Sequence, residues 1–507
     1  MIIAIVDCYT DEPSGLGVPP YLGVHPRYAL GAALKHKAQC FYLRIDDLRN
    51  TFNKKRGSRQ KTDILTLNTT KNRDNVIKIL EKASHIIVIA GIQTPGRYLS
   101  AVPGTPKEVA GYLKPFRAKK ILAGPVASLG AAQFGGSIAR TYHSYKGFDY
   151  VAKEDAWLTV ERIFNPDYRL KYYYKDLQKN ALLGASILKQ LYQPVVIELE
   201  SGRGCPRNPG CSFCVEPLKS KLNWRPAEWI IKEAIALKSF GAEYFRLGRQ
   251  SDLYAYMNFN FNKFKQLLTG ISKLSPKSFH IDNVNPTSVI TANGKKLTEL
   301  IVKVCTPGNV AALGVESFDL KVFKANNLNA LPEQTLEAIR IINKYGAELG
   351  ENGMPRYLPG INLLLGLNQE TEQTLEKNLN YLKLILNKGW MLRRINIRKV
   401  EILPGTEMAK KVRLKFMRKN RKYYHNFTER VRKEIDHEML KRIAPAGTVL
   451  RDVYMEVHDG KHTFGRQLGS YPLIIGVNKR LALRQFYDVK VTGHMLRSIT
   501  AEPLSKQ

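Results

Sequence analysis

The spacing of hydrophobic and polar residues divides this chain into regions with different predicted secondary structure. Over residues 1–165 short apolar runs alternate with amphipathic stretches, and a second series of the same kind begins near residue 191. Short apolar runs that end in Gly or polar residues predict strands of a parallel sheet, and the amphipathic stretches between them predict helices. After residue 443 the helical periodicity gives way to short strands separated by Gly, Asp and Asn, which predict a small all-β module.

Each series predicts its own set of elements. The first predicts strands at 2–6, 40–44, 85–90, 119–123 and 148–151, with helices at 26–37, 74–83 and 107–113. The second predicts strands at 195–198, 244–247, 279–282, 311–315, 361–365 and 395–402, with helices that include 227–240 and 370–387. We therefore expect an α/β protein with an amino-terminal doubly wound parallel sheet, a central (β/α)6-type barrel and a small carboxy-terminal all-β barrel.

The same patterns set the expected domain boundaries. Residues 1–165 form a Rossmann-like domain, and residues 166–190, rich in Tyr and Lys, form a linker. The barrel occupies residues 191–406, a basic helical segment residues 407–442, and the β-module residues 443–507. No apolar run approaches the ~20 residues that a membrane helix needs. The apolar amino terminus lacks a basic leader and a cleavage site, so we interpret it as a strand and expect a cytoplasmic protein with no membrane partner.

Charge changes the picture towards a polyanionic partner. Lys and Arg total 79 against 44 Asp and Glu, a net charge of +35. Within residues 409–442 there are 13 basic residues and four acidic ones. A field of that sign attracts nucleic acid, although a generally basic, solvated surface remains the simpler explanation. The candidate phosphate contacts are Lys411, Arg413, Arg466, Lys479 and Arg480.

The cysteines point to a metal site. Of six cysteines, three lie within ten residues in the sequence ESGRGCPRNPGCSFCVEP, which directly follows the first predicted barrel strand. Cys205, Cys211 and Cys214 thus stand on a loop that Gly and Pro keep from forming a helix. A structural zinc ion takes four protein ligands, and His280 or a distant Cys could complete such a site. Three thiolates on a [4Fe–4S] cube leave one iron open to a small molecule. The remaining cysteines are expected to be buried core thiols: Cys8, Cys40 and Cys305.

This cysteine loop resembles that of the radical S-adenosylmethionine (radical SAM) superfamily, in which three cysteines after the first barrel strand bind the cluster. The resemblance implies cluster ligation by Cys205, Cys211 and Cys214. The usual spacing is C-x3-C-x2-C, whereas here it is C-x5-C-x2-C. Phe213 matches the aromatic residue that lies against the adenine in that family. The resemblance also implies an S-adenosylmethionine cofactor and reductive cleavage to a 5′-deoxyadenosyl radical.

Further motifs of the same family follow in order. Gly248 and Gln250 stand where relatives have a Gly-Gly-Glu stretch that receives the methionine amino group, but no acid is present here. Glu316 and Ser317 match a strand-end GxES motif and are expected to face the cofactor. The sequence GLNQET after the fifth strand resembles a G-x-P-x-E-T turn, and LPGT closes the sixth.

The flanking regions resemble two further modules. The sequences GVPPYLGVHPRYALGAAL, IAGIQTPG and ILAGPVASLG resemble strand-end loops of a cobalamin-binding-like domain, but the D-x-H-x-x-G motif is absent. Cobalamin is therefore an alternative that we do not favour. Methylthiotransferases share the domain order, yet they hold a second cluster on three amino-terminal cysteines, and only two occur here. The sequence from Pro445 resembles a TRAM domain, a small β-barrel that binds tRNA.

Three hypotheses follow. The first is a radical SAM enzyme that modifies RNA, with tRNA as the expected substrate and a ferredoxin or flavodoxin as electron donor. The second is a radical SAM enzyme acting on a small molecule or protein, which includes cobalamin-dependent methyl transfer. The third is a non-catalytic RNA-binding iron–sulfur protein, against which the ordered series of barrel motifs argues.

Overall fold

The structure is a computed structural model that describes residues 1–12, 15–52, 68–92, 98–130, 135–192 and 194–504. Residues 93–96, part of the strand-end loop predicted in IAGIQTPG, lie outside the described residues. The chain divides into two compact units. The first comprises Met1–Phe134, Ala139–Glu200 and Arg225–Glu243, and the second comprises Gly135–Ile138, Ser201–Trp224 and Tyr244–Gln507.

The elements up to residue 243 follow one another as β1 (Ile2–Asp7), β2 (Asp11–Glu12), β3 (Gly15–Leu16), β4 (Tyr21–Leu22), α1 (Val24–Lys35), β5 (Gln39–Arg44), α2 (Ile45–Thr51), α3 (Val76–Lys82), β6 (His85–Ile89), α4 (Pro106–Leu113), β7 (Lys119–Ala123), α5 (Pro125–Leu129), β8 (Tyr150–Val151), α6 (Ala156–Phe164), α7 (Tyr173–Gly184), β9 (Val196–Glu200), β10 (Gly202–Arg203), α8 (Glu216–Lys219), β11 (Asn223–Trp224) and α9 (Ala227–Ser239). Short 3₁₀ helices span Arg73–Asn75 and Ala185–Gln190.

The later elements are β12 (Tyr244–Gly248), α10 (Tyr256–Phe259), α11 (Phe261–Ser272), β13 (Ser278–His280), β14 (Asn283–Val284), α12 (Pro286–Val289), α13 (Ala292–Val304), β15 (Asn309–Glu316), α14 (Leu320–Asn326), α15 (Pro332–Gly346), β16 (Tyr357–Leu365), α16 (Glu372–Asn387), β17 (Arg394–Lys399), α17 (Glu407–Lys411), α18 (Lys415–Asn420), α19 (Tyr424–Arg430), α20 (His437–Ile443), β18 (Val449–Asp459), β19 (His462–Gln467), β20 (Ile474–Val477), β21 (Phe486–His494) and β22 (Ser498–Pro503). Two 3₁₀ helices, Leu253–Ala255 and Arg421–Tyr423, and a π-helix, Val431–Asp436, complete the set.

The first unit contains a five-stranded parallel sheet in the order β5-β1-β6-β7-β8. In the centre of the sheet, Ile3 on β1 pairs with Cys40 on β5 and with His85 on β6. Apolar side chains of β1 and β6 are buried on both faces, as expected for a parallel sheet covered by helices. The order reverses between β1 and β6, so the prediction of a doubly wound sheet is confirmed.

The segment predicted as a linker, residues 166–190, contains a packed helix. Gly31 of α1 and Gly184 of α7 bring the two helices into backbone contact, because a Cβ on Gly31 would lie 1.8 Å from the carbonyl oxygen of Asn180. A Cβ on Gly184 would lie 2.2 Å from the carbonyl oxygen of Arg27. The Tyr- and Lys-rich composition hid this contact because its signal is two glycines that lie far apart in the sequence.

A buried ion cluster lies beside these helices in the first unit. The carboxylate of Glu233 on α9 accepts hydrogen bonds from the guanidinium groups of Arg27 and Arg225, and all three side chains are fully buried. Arg27 also donates to the carbonyl oxygen of Glu198, at 2.5 Å. Burial alone would raise the pKa of Glu233, but the charges of Arg225 and Arg27 outweigh it and hold this pKa below its ordinary value.

The second unit contains the later β/α strands and the carboxy-terminal barrel. Strands β14, β15, β16 and β17 form a parallel sheet in sequence order, and β12 pairs in parallel with β13. The five strands after residue 448 close into a barrel in the order β18-β19-β20-β22-β21. These findings confirm the predicted α/β fold class with its small all-β barrel. Across the described residues, every helix is too short or too polar to cross a bilayer.

Within the second unit, the loop that follows β19 fixes the closed barrel to the β/α strands. The backbone N–H of Ser470 donates to Nδ1 of His280, at 2.8 Å, and the hydroxyl of Tyr471 donates to the carboxylate of Asp282, at 2.5 Å. Gly469 is required here, since a Cβ would lie 2.5 Å from the His280 ring. Burial lowers the pKa of His280 to about 4, so the ring is neutral and Nδ1 accepts. His280, an alternative zinc ligand in the sequence, is thus used in this contact.

The basic segment is anchored at the carboxyl end of β16. Glu370 accepts hydrogen bonds from the backbone N–H of Gly366, at 2.9 Å, and from the hydroxyl of Tyr424, at 2.5 Å. Asn420 donates to the Glu370 carbonyl at 2.8 Å. Gly366 has φ +91°, and a Cβ there would lie 2.4 Å from Met417. The basic segment therefore lies directly on the turn after β16.

Replacing Glu233 with Gln should destabilise the first unit by about 3–5 kcal/mol, because two buried guanidinium groups lose the carboxylate that pairs with both. Chemical denaturation at pH 7 measures the change. The matched control is Glu337→Gln, which removes an exposed carboxylate paired with Arg340 and should change stability little. Equal stability of Glu233→Gln and wild type would contradict a stabilising role for the cluster.

Glu370 predicts a loss of stability as pH rises. Burial raises its pKa from 4.5 to about 7, more than the hydrogen bonds from Tyr424 and Gly366 lower it, so the folded state favours the protonated form. Stability should therefore fall between about pH 4.5 and pH 7, by at most roughly 3 kcal/mol. Thermal unfolding from pH 4.5 to pH 8 should show a smaller decline in Glu370→Gln than in wild type, whereas the exposed control Glu372→Gln should follow wild type. An identical pH dependence in all three proteins would refute the assignment.

Candidate active site

The three clustered cysteines lie on an irregular loop between β10 and α8. Gly204, with φ +82°, begins the loop, and a Cβ there would lie 2.9 Å from the backbone of Leu222. The backbone N–H of Cys214 donates to the carbonyl of Cys211 at 3.0 Å, which closes a turn between these two residues. Phe213 within this turn is half-buried, as are all three cysteines. All three thiols therefore stand on one loop without a regular element, and the turn brings Cys211 and Cys214 together.

Each thiol sulfur has a hydrogen-bond donor within reach. The backbone N–H of Arg207 lies 3.4 Å from Sγ of Cys205, and its guanidinium lies 3.0 Å from Sγ of Cys211. The backbone N–H of Glu216 lies 3.5 Å from Sγ of Cys214. Burial raises the pKa of Cys211 to about 11, although the charge of Arg207 opposes this rise, and burial also raises the pKa of Cys214. Without metal these groups are thiols, and metal binding would release their protons.

Two adjacent asparagines at the end of α14 hold the loop in place. Asn327, in the left-handed conformation with φ 48°, donates to the carbonyls of Pro209 and Gly210 at 2.9 and 3.0 Å. In return, Arg207 donates to the carbonyl of Asn327 at 2.9 Å. Asn326 accepts from both the backbone and the hydroxyl of Ser212, each at 2.9 Å. Sequence reasoning missed this pair, whose only signal is an Asn-Asn dipeptide at a helix C-terminus, where Asn tolerates a positive φ.

The loop fits a thiolate-ligated cluster better than a single ion. Across the described residues, no group of three or more His, Cys, Asp or Glu side chains is close enough to hold one metal ion. A four-iron cube binds each thiolate through a different iron, so its ligands stand farther apart than those of one ion. Half-buried thiols with nearby N–H donors suit thiolate ligation of such a cube, and Cys205, Cys211 and Cys214 would hold it. The remaining cysteines are buried, as expected of core thiols: Cys8, Cys40 and Cys305.

An unsatisfied amide lies at the carboxyl end of β12. Gln250 is completely buried, and among the described residues neither its amide nitrogen nor its amide oxygen has a hydrogen-bond partner. Leaving such a group unpaired costs free energy, so its position fits a bound polar ligand. The carbonyl of Gly248 accepts from the backbone N–H and the hydroxyl of Ser201, at 3.2 and 3.3 Å. The end of β12 is thereby tied to the start of the cysteine loop.

Glu316 lies at the end of β15 and acts electrostatically on the cysteine loop. It has φ 63° at a β-bulge after Gly314, and its negative charge contributes to the raised pKa of Cys211. Burial raises the pKa of Glu316 itself to about 8, with the charge of Arg398 opposing. Ser317 has a different environment, since its buried hydroxyl donates to Asn378 at 3.3 Å. Of this pair, Glu316 is therefore the residue whose ionised form would act on the cysteine loop.

A row of polar side chains on β16 and β17 extends from this acid. Asn362 and Asn396 pair across the two strands, with their amides 3.1 Å apart. With its amide oriented to satisfy its neighbours, the Asn396 oxygen accepts from Arg394 and Arg398, each at 3.0 Å. Sequence reasoning missed these residues. Their signal was the alternation in RINIRK, which places residues 394, 396 and 398 on one face of the strand.

The predicted phosphate-binding residues differ in their surroundings. Lys411, Arg413, Lys479 and Arg480 are exposed. Arg466, by contrast, is buried, with only 8% of its surface exposed. Its guanidinium is paired with the carboxylate of Glu456, at 2.5 and 2.8 Å. The charge of Arg466 is thus paired inside the closed barrel, and its assignment as a phosphate contact stays a prediction.

Comparison with known proteins gives a family match and two long relatives. A model described as the radical SAM superfamily matches residues 199–382. An uncharacterized protein of Methanocaldococcus jannaschii is 40% identical over 528 residues, covering 98% of this chain and 92% of the relative. An uncharacterized protein of Archaeoglobus fulgidus is 35% identical over 515 residues, covering 99% of this chain and 90% of the relative.

Solved structures with a similar arrangement include the radical S-adenosylmethionine methyltransferase TsrM from Kitasatospora setae, with cobalamin and a [4Fe–4S] cluster bound (TM-score 0.48, 12% identity, 80% of this chain and 73% of that chain). Another is the cobalamin-dependent S-adenosylmethionine radical enzyme OxsB (TM-score 0.48, 12% identity, 85% and 56%). The long relatives show that this chain belongs to the family of the two archaeal proteins, and the family match shows that residues 199–382, which include the three loop cysteines, are a domain of the radical SAM superfamily.

Proposed function

We propose that this radical SAM enzyme modifies RNA, with tRNA as its substrate class. The observation that carries the proposal is an exposed cationic surface attached to the cysteine loop. When bound, the cluster and S-adenosylmethionine would supply a 5′-deoxyadenosyl radical that abstracts hydrogen from an unreactive carbon. Thiolate ligands persist in a reducing compartment, which supports the cytoplasmic location that we propose.

The residues around the loop prepare the site for that chemistry. Cys205, Cys211 and Cys214 hold the cluster, while the N–H groups of Arg207 and Glu216 stabilise negative charge on the sulfurs. Gln250 offers its unpaired amide to the polar end of the methionine part. An amide cannot neutralise the ammonium group as a carboxylate would, so the interaction there is hydrogen bonding alone.

The cationic surface supports RNA as the partner. Residues 404–422 contain eight Lys or Arg side chains, all exposed, and one acid, Glu407. This segment begins at the cysteine loop, where the backbone N–H of Met408 donates to the carbonyl of Ser212 at 2.8 Å. It continues along the end of β16, held by Glu370. A polyanion bound to this surface would therefore lie next to the cysteine loop.

The carboxy-terminal barrel adds a second basic surface to the proposal. Its closed five-stranded form is consistent with the TRAM-like resemblance, and the exposed side chains of Lys479 and Arg480 lie together between β20 and β21. Arg480 is oriented by hydrogen bonds to the Gly460 carbonyl and the His458 ring, at 2.7 and 3.0 Å. These two cations are the barrel residues that we propose to contact phosphate groups.

Substituting a loop cysteine should abolish cleavage of S-adenosylmethionine. After anaerobic cluster reconstitution and reduction by dithionite, wild type should form 5′-deoxyadenosine and Cys211→Ala should give only background, because the cube loses one of three thiolates. Cys305→Ala, which removes a core thiol of the same unit, is the control and should retain product. Product from Cys211→Ala at the wild-type rate would contradict the ligand assignment.

Reversing charge on the basic segment should weaken RNA binding. The double variant Lys415→Glu/Arg418→Glu should bind unfractionated tRNA about tenfold less tightly and lower the slope of log K against log salt by about 1–2, since phosphate contacts are lost. Filter binding at several KCl concentrations measures both. The control Lys303→Glu/Lys388→Glu makes the same charge change at the end of α13 and after α16.

If both double variants weaken binding equally, RNA is attracted by the overall positive charge of the protein and not by the basic segment. The RNA proposal then loses its main support. Catalysis on tRNA is tested separately, by mass spectrometry of nucleosides after incubation with reduced enzyme. A mass change that requires both S-adenosylmethionine and the loop cysteines would support the proposal. A mass change confined to a protein or small-molecule fraction would refute it.

A further inference from the structure

One face of strands β15, β16 and β17 carries a row of polar positions. Gly314, Asn362 and Asn396 stand directly opposite one another on the three strands, and all three are half-buried. The residues that alternate with them, such as Ile361 and Ile395, are buried and apolar, as expected for the face that helices cover. We call the polar side of these three strands the inner face.

The glycine in this row leaves space on the inner face. Among the described residues other than its chain neighbours, a Cβ on Gly314 would come within 4 Å of the Glu316 carboxylate alone, at 3.3 Å. The charge of Glu316 in turn contributes to the raised pKa of Cys211. The space in front of the row therefore adjoins the cysteine loop, and a group of a substrate can occupy it.

Two guanidinium groups stand beside this space. The amide oxygen of Asn396 accepts from Nη2 of Arg394 and from Nε of Arg398, each at 3.0 Å. An amide is neutral, so Asn396 orients both cations without cancelling their charge. Arg398 is exposed, and its charge also acts on Glu316, whose pKa it lowers. Two guanidinium groups held side by side in this way suit an oxyanion.

The amino end of the inner face is closed by the loop after β19. The ring centre of Tyr471 lies 3.9 Å from Cζ of Arg394. The Tyr471 hydroxyl donates to Asp282 at 2.5 Å and accepts from Arg246 at 3.1 Å. Asp282 is also paired with Arg246, at 2.5 Å, so the charge of this acid is balanced. Positive charge on the inner face is therefore concentrated at Arg394 and Arg398, towards the carboxyl end of β17.

We propose that Arg394 and Arg398, oriented by Asn396, bind a phosphate group of the nucleotide that reacts. This inference rests on the proposed function and names the group of the RNA that the inner face holds. Each nucleotide of RNA carries one phosphate, whose ionised oxygens accept hydrogen bonds from both guanidinium groups. Because the inner face receives one nucleotide, that nucleotide has to be single-stranded or extruded from its stack. A substrate carboxylate is the competing occupant that the test must exclude.

The test compares phosphorylated with unphosphorylated ligands. Equilibrium dialysis of the reconstituted protein, with S-adenosylmethionine present, measures binding of the four nucleoside 5′-monophosphates, the four nucleosides and a mixture of amino acids. Wild type should bind at least one monophosphate about tenfold more tightly than its nucleoside. Arg398→Gln removes one cation, and Asn396→Asp keeps the shape of the side chain but neutralises both cations. Each should reduce the preference to less than about threefold.

Two controls separate the inner face from other cationic surfaces. Lys399→Gln removes an exposed charge from the same strand but on the opposite face, where a Cβ on Gly136 would lie 3.5 Å from Cδ of Lys399. The double variant Lys415→Glu/Arg418→Glu changes the basic segment. Both controls should keep the preference of wild type for the monophosphate. Circular dichroism of all variants shows whether each has folded.

Three outcomes would overturn the proposal. The first is a wild-type protein that shows no preference for any monophosphate. The second is an unchanged preference in both Arg398→Gln and Asn396→Asp. The third is preferential binding of amino acids that requires Arg398, which would assign the two cations to a carboxylate. Absence of tRNA modification with an intact phosphate preference would refute the RNA proposal alone, and modification of tRNA without that preference would refute the phosphate site alone.

Discussion

The asparagine pair at the end of α14 is the constraint on which the candidate site depends. A loop of twelve residues without a regular element has few hydrogen bonds of its own, yet it must present three thiols in one arrangement. Asn326 and Asn327 supply the missing partners to Ser212, Pro209 and Gly210, while Arg207 returns a bond to the same helix end. Asn326 also donates to the carbonyl of Asn368, at 2.9 Å. The loop, the turn after β16 and α14 are thus held as one body.

Polar residues that are buried without a partner, or that have a left-handed backbone, are concentrated around this loop. Gln250 is buried without a partner, Glu316 is held in a left-handed conformation with a raised pKa, and Arg249 has φ 70° and a pKa lowered by burial to about 10. Such local costs are tolerated when surrounding contacts fix the backbone and a ligand uses the side chains. Their concentration at the ends of β12 and β15 marks the same end of the second unit as the cysteine loop.

Much of the fold could be predicted from the sequence because local periodicity determines parallel strands and amphipathic helices. The strand predicted at residues 119–123 has those bounds in the structure, and the cysteine spacing located the loop that contains all three thiols. The supporting contacts could not be predicted in the same way. Arg207 and Asn327 are 120 positions apart, so nothing local links them. The pairing of Arg466 could not be predicted for a related reason: a basic residue in a β-module looks available until the pairing of β18 with β19 brings Glu456 against it.

The loop after β19 joins the carboxy-terminal barrel to the β/α strands of the second unit. Ser470 and Tyr471 hydrogen-bond to His280 and Asp282, so the barrel is joined to the β/α strands by direct contacts and not by the chain alone. An RNA bound by this barrel, as we propose, would be held at a set distance from the cysteine loop. The position that reacts along the polymer would therefore depend on the distance between the barrel and the cysteine loop, as well as on the groups that the site can recognise.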